Sequence, residues 1–179
     1  MQQRSSPERI FLGFGSNIGN GPQMLLDAWK QIDELDDTEC VRLSSPYSSS
    51  PVAMESPNWF TNAVGEIRSR LGPEKLLLEI LALEQRMGRV RQSTFTGYQD
   101  RLLDIDLLYY GQRIIAGTFL RIPHPRRAHR LFVLRPLAEI APDFIDCLSL
   151  LTVAQMEQDL CRAIACGEVL PQELTLSSW

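Results

Sequence analysis

The chain has 179 residues, 44% apolar and 22% charged, with a net charge of −4, an ordinary balance for one soluble globular domain large enough to bury a core. No apolar run approaches membrane-spanning length, Met1 to Glu8 carry no apolar signal-peptide core, and Cys40, Cys147, Cys161 and Cys166 show no Cys-x-x-Cys spacing. These features point to reduced thiols in a cytoplasmic protein with no membrane partner, the acidic net charge argues against duplex nucleic acid as a partner, and no obligate protein partner is evident.

Arg9 to Gly15 reads as a short strand running into Gly15-Ser16-Asn17-Ile18-Gly19-Asn20-Gly21-Pro22, a turn-rich loop that opens a helix. Three glycines before a helix can cradle phosphate. Their spacing fits neither the dinucleotide fingerprint nor a phosphate loop ending in Gly-Lys-Ser/Thr, so a tight strand-to-helix turn is the better reading. Leu25, Ala28 or Trp29, Ile32 and Leu35 recur at helical spacing and predict a helix over Pro22 to Leu35, with Trp29 in the core. Thr38 to Ser45 reads as a second strand. Pro46 to Pro57 is a long loop with three prolines, a length often tied to function. Trp59 to Arg70 reads as a third strand with Phe60, Asn62 and Val64 on one face. Gly72-Pro73 begins a second helix with the stripe Leu76, Leu77, Ile80, Leu81, Glu84 and Met87, and Gly88 ends it. Glu84 is the odd member. Two readings stand open: a carboxylate snorkelling to solvent from the edge of the stripe, or a hydrogen-bond acceptor at a site.

A polar loop, Arg89 to Asp100, leads to the stretch that organises the chain, Arg101-Leu102-Leu103-Asp104-Ile105-Asp106-Leu107-Leu108-Tyr109-Tyr110. As a strand it places Asp104, Asp106 and Leu108 on one face and Leu103, Ile105 and Leu107 on the other. The two carboxylates are then roughly 6.5–7 Å apart along the strand and point the same way. Ionised carboxylates left unpaired in an apolar run are costly, so Lys, Arg or a metal ion must face them. Arg86 to Arg135 holds ten arginines, no lysine and three acids, a net +7, against 8 basic and 19 acidic residues, or −11, in the rest. Both histidines, His124 and His129, are in this segment too. Arginine without lysine suits bidentate recognition of phosphate or carboxylate. A solvated basic face explains any single arginine; ten around an Asp-x-Asp favour a site.

After Gly111, Arg113 to Ile122 suggests one or two short strands, and Ile122-Pro123-His124-Pro125-Arg126 is a rigid turn that presents His124 between two prolines. Arg130 to Ile140 reads as a short helix, and Thr152-x-x-Gln155 is a capping box opening a last one. Pro171 to Trp179 carries no readable chemistry. Strand, helix, strand, strand, helix, strand is the split β-α-β order. It predicts an α+β, ferredoxin-like fold: one antiparallel sheet, helices packed on one face, the two aspartates on the open face, and extra C-terminal helices. A single domain over 1–179 is expected, with 145–179 as a C-terminal helical extension.

Gly15-Ser16-Asn17, Asn62 within Phe60-Thr-Asn-Ala-Val, Gly88-Arg89-Val-Arg91, Arg101-x-x-Asp104-Ile-Asp106, Ile122-Pro-His124-Pro-Arg126 and Arg130-x-Phe132-Val-Leu-x-Pro-Leu, in this order, resemble the 6-hydroxymethyl-7,8-dihydropterin pyrophosphokinases of folate biosynthesis. The resemblance runs from about Phe11 to Asp143 and agrees with a ferredoxin-like core. It implies transfer of pyrophosphate from ATP to the pterin hydroxymethyl group, giving AMP, with two Mg2+ ions held by Asp104 and Asp106. Open positions on hard oxygen ligands, filled by water and phosphate, are how magnesium is usually bound. By the same resemblance Arg89 and Arg101 contact the transferred phosphates, and Arg91 lies in a mobile loop closing over ATP. Glu84, His124 and Arg130 fall on the ATP side. Asn62 hydrogen-bonds the pterin, Phe60 and Phe132 sandwich it, and Ser49 and Val52 line its pocket. The chain departs from the family twice. Tyr98-Gln99-Asp100-Arg101 stands for the usual Trp-Gly-Pro-Arg, leaving Phe95 or Tyr98 for the tryptophan's role, and Ala53 stands for a glycine.

Two rivals explain part of this. Another Asp-x-Asp, magnesium-dependent phosphoryl or nucleotidyl transferase accounts for the aspartates and arginines but not for Asn62 and the aromatic pair. A non-catalytic ferredoxin-like binding module accounts for the fold and the basic segment, but leaves two carboxylates in the middle of its binding face.

Overall fold

A computed structural model describes residues 6–52, 56–88 and 100–179. The first strand, β1 (Glu8–Ser16), turns Ile10, Leu12 and Phe14 to one side and Phe11, Gly13 and Gly15 to the other. Helix α1 (Gly21–Asp33) follows, capped by Asn20, whose side chain accepts from the Gln23 amide, with Pro22 in its first turn. Next come β2 (Thr38–Leu43), a short β3 (Tyr47–Ser49) and β4 (Phe60–Ser69). Strand β3 lies inside the stretch expected to be all loop, so the predicted third strand is the fourth. Helix α2 (Pro73–Arg86) leads back toward β5 (Asp104–Tyr110).

Strand β4 pairs antiparallel with β1 along its length, Glu8 opposite Ser69 and Ser16 opposite Thr61. Its other edge is shared end to end by β2, which pairs with Gly65 to Ser69, and β3, which pairs with Phe60 to Asn62. Strand β5 lies beyond β1, with Asp106 opposite Gly13 and Asp104 opposite Gly15. A register shift between Phe11 and Leu12 lets Leu108 and Tyr109 both reach the same layer.

Helices α1 and α2 share one face, as the topology requires. Leu25, Ala28, Ile32, Leu76, Ile80 and Leu83 are buried there with Ile10, Leu12, Ile67, Ile105 and Leu107. Trp29 is core, as expected: its ring meets Phe14 edge-on, 6.0 Å between centroids, and lies over Gly65, where an added Cβ would fall 2.3 Å from it. The opposite face is not left bare. After the hairpin β6 (Ile115–Ala116) and β7 (Arg121–Ile122) and a 3-10 turn at Arg127–His129, α3 (Leu131–Ile140) lays Val133, Leu137 and Ile140 over Phe11, Val64, Leu108 and Tyr109. Helix α4 (Val153–Ala165) opens with the predicted Thr152–Gln155 capping box and packs Met156 and Leu160 on Leu131 and Leu134 of α3. Helix α3 covers the half of the sheet around Phe11 and Tyr109 and leaves open the half with Gly13, Gly15, Asn62, Asp104 and Asp106. The segment after 145 is helical only in part. It ends in β8 (Leu174–Leu176), which pairs with β3 and becomes the sheet's outer strand.

A buried polar cluster ties this segment to the Pro-His-Pro turn. Asp146, wholly buried, accepts from the Tyr109 hydroxyl at 2.7 Å and from Arg127 Nε at 2.5 Å. Its other oxygen takes the Leu148 and Ser149 amides, and Arg127 Nη1 donates to the His124 carbonyl at 3.3 Å. Burial alone would raise the Asp146 carboxyl; the Ser149 amide, the Tyr109 hydroxyl and Arg127 outweigh it and hold it below the usual carboxylate range. A depressed carboxylate contributes stability above its unfolded pKa and loses it as pH falls through the folded one. Asp146→Asn is therefore expected to cost about 3–5 kcal/mol at pH 7 by leaving Arg127 buried without its charge partner. In urea unfolding the gap to the parent should shrink as pH falls from the unfolded carboxyl pKa through the folded one.

Candidate functional site

The floor of the open half is built by pleat and glycine. Paired residues of an antiparallel sheet share a face, so Gly13 and Gly15 lie beside Asp106 and Asp104 on one hand and Val64 and Asn62 on the other. Two side chains are missing from the middle of this face, and a cleft runs across it. The start of β5 is held by the loop after β1. The Asn17 amide donates to the Arg101 carbonyl at 3.1 Å, and Asn17 Oδ1 accepts from the Arg101 amide at 2.7 Å. Asn17 Nδ2 also donates to Asp100, which accepts from Ser56 Oγ and Asn58 Nδ2 as well. These bonds, led by Ser56 and then Asn17, hold the Asp100 carboxyl below its ordinary range. The glycine-rich loop is thus a strand-to-helix turn, as read from its spacing, and its asparagine fixes the entry to the Asp-x-Asp strand.

Each aspartate meets an arginine. Arg101 Nη1 lies 2.5 Å from Asp104 Oδ2, and Arg130 Nη1 lies 3.4 Å from Asp106 Oδ2. His124 Nε2 stands 3.8 Å from Asp106 Oδ1. The Arg126 amide donates to His124 Nδ1 at 3.2 Å, so the neutral ring carries its proton on Nε2, toward the carboxylate. Burial and the neighbouring Asp104 push the Asp106 carboxyl up, against the pull of His124, Arg130 and Arg101. Burial pushes His124 down, more than Asp106 raises it.

Two cavities meet at this charged wall. The first is lined by Gly13, Gly15, Ser49, Val52, Phe60, Asn62 and Phe132; the second runs between Leu77, Leu78 and Leu81 of α2 and Thr118, Phe119 and Leu120 of the β6–β7 hairpin, with Glu84 and His124 on its floor side. Arg101, Asp104, Asp106 and Arg130 line both. Asn62 is buried and donates to Ser49 Oγ at 2.9 Å. Phe132 is overhung by the Arg130 guanidinium, 5.4 Å from the ring centroid. Glu84 is 1% exposed and accepts from the Ile105 amide, the peptide between the two aspartates, at 2.8 Å. The snorkelling reading is excluded, and the acceptor reading fits.

The structure thus brings together Ser49, Val52, Phe60, Asn62, Glu84, Arg101, Asp104, Asp106, His124, Arg130 and Phe132 from separate stretches of chain. Arg89, Arg91, Ala53, Phe95 and Tyr98 lie outside the described residues. Sequence reading missed Gly13, the leucine wall of α2 and the roles of Asn17 and Asp100. The substitution of Asp100 for the usual proline was the one available signal for the last of these.

Two carboxylates side by side on a strand, shared by two cavities and ringed by arginine, define the class: an enzyme that moves a charged phosphoryl group between two substrates with the help of a divalent cation. Residues 11–142 match the family described as 7,8-dihydro-6-hydroxymethylpterin-pyrophosphokinase (HPPK), and the chain belongs to that family. The 2-amino-4-hydroxy-6-hydroxymethyldihydropteridine pyrophosphokinase of Synechocystis is 39% identical over 154 residues, 86% of this chain and 77% of the relative. The protein of the same name from Haemophilus influenzae is 38% identical over 135 residues, 75% of this chain and 82% of the relative. The folic acid synthesis protein fol1 of Pneumocystis carinii is 34% identical, but the chain spans only 19% of it. Among solved structures, Plasmodium falciparum HPPK-DHPS superposes with a TM-score of 0.74 at 12% identity, over 93% of this chain and 45% of that one, a likeness of fold.

The donor set fits magnesium. Asp104 and Asp106 keep 27% and 33% of their side chains exposed to the cleft, burial and the neighbouring Asp104 act against the charged form of Asp106, and no third His, Cys, Asp or Glu completes an all-protein cage among the described residues. Magnesium commonly takes one or two carboxylates and fills its other positions with water and phosphate. A carboxyl raised by folding destabilises the fold above its unfolded pKa. Asp106→Asn should therefore raise the melting temperature in EDTA. Magnesium with a non-hydrolysable ATP analogue should raise that of the parent and raise the variant's much less; an equal rise in both would remove Asp106 from the ion site.

Proposed function

We propose that this site carries out the family's reaction, transfer of pyrophosphate from ATP to 6-hydroxymethyl-7,8-dihydropterin in folate biosynthesis, with residues 6–179 acting as one pyrophosphokinase unit. The observation that carries this reading is the sharing of Arg101, Asp104, Asp106 and Arg130 by two differently built cavities. One is narrow and walled by Phe60, Phe132, Val52 and Gly13, with the buried amide of Asn62 in it, and suits a flat, hydrogen-bonding ring. The other is open, with an apolar wall at one end and His124, Arg126 and Arg130 at the other, and suits a nucleotide with its phosphates toward the aspartates.

In this assignment the pterin hydroxyl oxygen attacks the β-phosphorus of ATP, and its proton passes to solvent water. The bond from that phosphorus to the α–β bridging oxygen breaks, and AMP leaves with the oxygen. Asn62, fixed by Ser49, orients the ring edge, and Phe60 and Phe132 hold its faces. Arg101 and Arg130, each steered by a carboxylate, meet the charge on the transferred group, while His124 donates from Nε2 to a phosphate oxygen. Glu84 holds the Ile105 peptide and with it the spacing of Asp104 and Asp106. Arg89 joins the catalytic set and Arg91 the ATP side by family resemblance. Two magnesium ions on Asp104 and Asp106 would neutralise phosphate charge and align the displacement. Positioning and charge neutralisation are the main demands of such a transfer. A cytoplasmic setting is part of the same reading, supported by four free cysteines and by the absence, among the described residues, of a helix long and apolar enough to cross a membrane.

Incubation with ATP, magnesium and the hydroxymethyl-dihydropterin should yield AMP and pterin diphosphate one for one. Phosphate release from ATP without pterin would favour a different Asp-x-Asp transferase. Asp104→Ala and Asp106→Ala should each lower turnover by roughly a hundredfold or more while the protein stays folded, since misplaced reacting groups cost about that much; near-normal AMP formation at saturating magnesium would end the assignment. Asn62→Ala should weaken pterin binding by about 1–3 kcal/mol and leave ATP-analogue binding intact in calorimetry. Equal loss of both affinities would make Asn62 a structural residue.

A further inference from the structure

Helix α3 begins with a conflict. Its N-cap position is held by Arg130, which provides no side-chain cap. Guanidinium has donors only, so it cannot accept the orphan amides of a first turn. Arg130 faces Asp106 instead. A partner for another first-turn amide, that of Leu131, comes from the far end of the chain. Gln172 Oε1 accepts from the Leu131 amide at 2.8 Å, and Gln172 Nε2 donates to the His129 carbonyl at 2.9 Å. The two ends of one side-chain amide thus grip the backbone on either side of Arg130. Gln172 lies outside the residues 11–142 that match the family.

The segment around Gln172 is itself anchored to the opposite wall of the first cavity. Leu174 pairs with Ser49, Thr175 with Ser48 and Leu176 with Tyr47. The Ser50 amide donates to the Glu173 carbonyl at 3.2 Å, and the Ser177 amide to the Pro46 carbonyl at 2.9 Å. Strand β3 carries Ser49, and α3 carries Phe132. The tail spans from one to the other.

We propose that Gln172 is a positioning residue of the site: it grips the Leu131 amide and the His129 carbonyl on either side of Arg130 and so fixes the backbone from which Arg130 reaches Asp106 and Phe132 reaches the ring pocket. This rests on the pyrophosphokinase reading for the group that Arg130 meets, not for the clamp itself. A side chain that holds the backbone on both sides of a catalytic arginine acts through that arginine, and its removal should be silent once the arginine is gone.

The test uses the full chain with Gln172→Leu, Gln172→Glu, Arg130→Ala and the double variant Arg130→Ala/Gln172→Leu. Gln172→Leu should lower kcat/KM for AMP formation roughly tenfold, less than the hundredfold that a full displacement of about 1 Å can cost. Gln172→Glu keeps the acceptor for Leu131 and loses the donor to His129, so its loss should be intermediate; it carries the test by itself if the leucine variant does not fold. The double variant should be no worse than Arg130→Ala, the non-additivity of two groups in one unit. Affinity for magnesium with a non-hydrolysable ATP analogue, read by calorimetry, should follow the same order. A parent protein that binds the analogue but forms no AMP overturns the reaction assignment, and the affinity series then still decides on Gln172. Parent-like affinity and turnover in Gln172→Leu, or full additivity with Arg130→Ala, overturns the proposal.

Discussion

Everything in this molecule that bears on chemistry depends on keeping two negative carboxylates side by side in a half-buried cleft. Strand pleat puts Asp104 and Asp106 on one face, and the sheet opposes each with a glycine of β1. The arrangement is unfavourable by itself: desolvation and mutual repulsion both act on Asp106. It persists because Arg101, Arg130 and His124 stand against the two groups, and because the strand that bears them is pinned from outside. Asn17 and Asp100 fix its entry, and Glu84 takes the amide between the aspartates. Two carboxylates on one face, both partly open to the cleft, are what make the place suitable for a divalent cation and its phosphates.

The sheet divides its labour by face. One side is fully covered by α1 and α2 and supplies the main core. The other is covered by α3 only as far as Phe11, Val64 and Tyr109. Where the cover stops, side chains that would have been core become cavity wall. Phe132 and Val133 sit at this boundary, and so does Arg130. Starting α3 with an arginine places a cation over the aspartates at the expense of a local side-chain cap, and the distant Gln172 takes the Leu131 amide of the same first turn.

The chain after the family match is correspondingly more than an appendage. Asp146 gathers Tyr109 and Arg127 into a buried cluster beneath the Pro-His-Pro turn, and Arg127 also bonds the His124 carbonyl. Helix α4 backs α3, and β8 turns the three-residue β3 from an edge strand into an interior one. These contacts hold His124, Phe132 and Ser49 from behind, without entering the cleft.

Local pattern alone determined the strands and helices of the core, because a period of two or of 3.6 survives in the order of apolar residues. It was enough to put Asp104, Asp106 and Leu108 on one face, Trp29 in the core and a capping box at Thr152. The motif order pointed to the family, and with it to Asn62, Phe60 and Phe132, which composition and spacing would have left as ordinary core. What periodicity cannot carry is partnership across long separations. By spacing, Glu84 fits a solvent-facing edge residue equally well; the fold presses it against the Ile105 amide. Strand β3 is too short to show alternation, and β8, in a stretch with no readable chemistry, exists only because β3 is there to pair with. Asp100, Asp146 and Gln172 are ordinary polar residues in the sequence. Their meaning comes from hydrogen-bond partners up to 83 residues away, and only the folded chain brings those donors and acceptors within reach of one another.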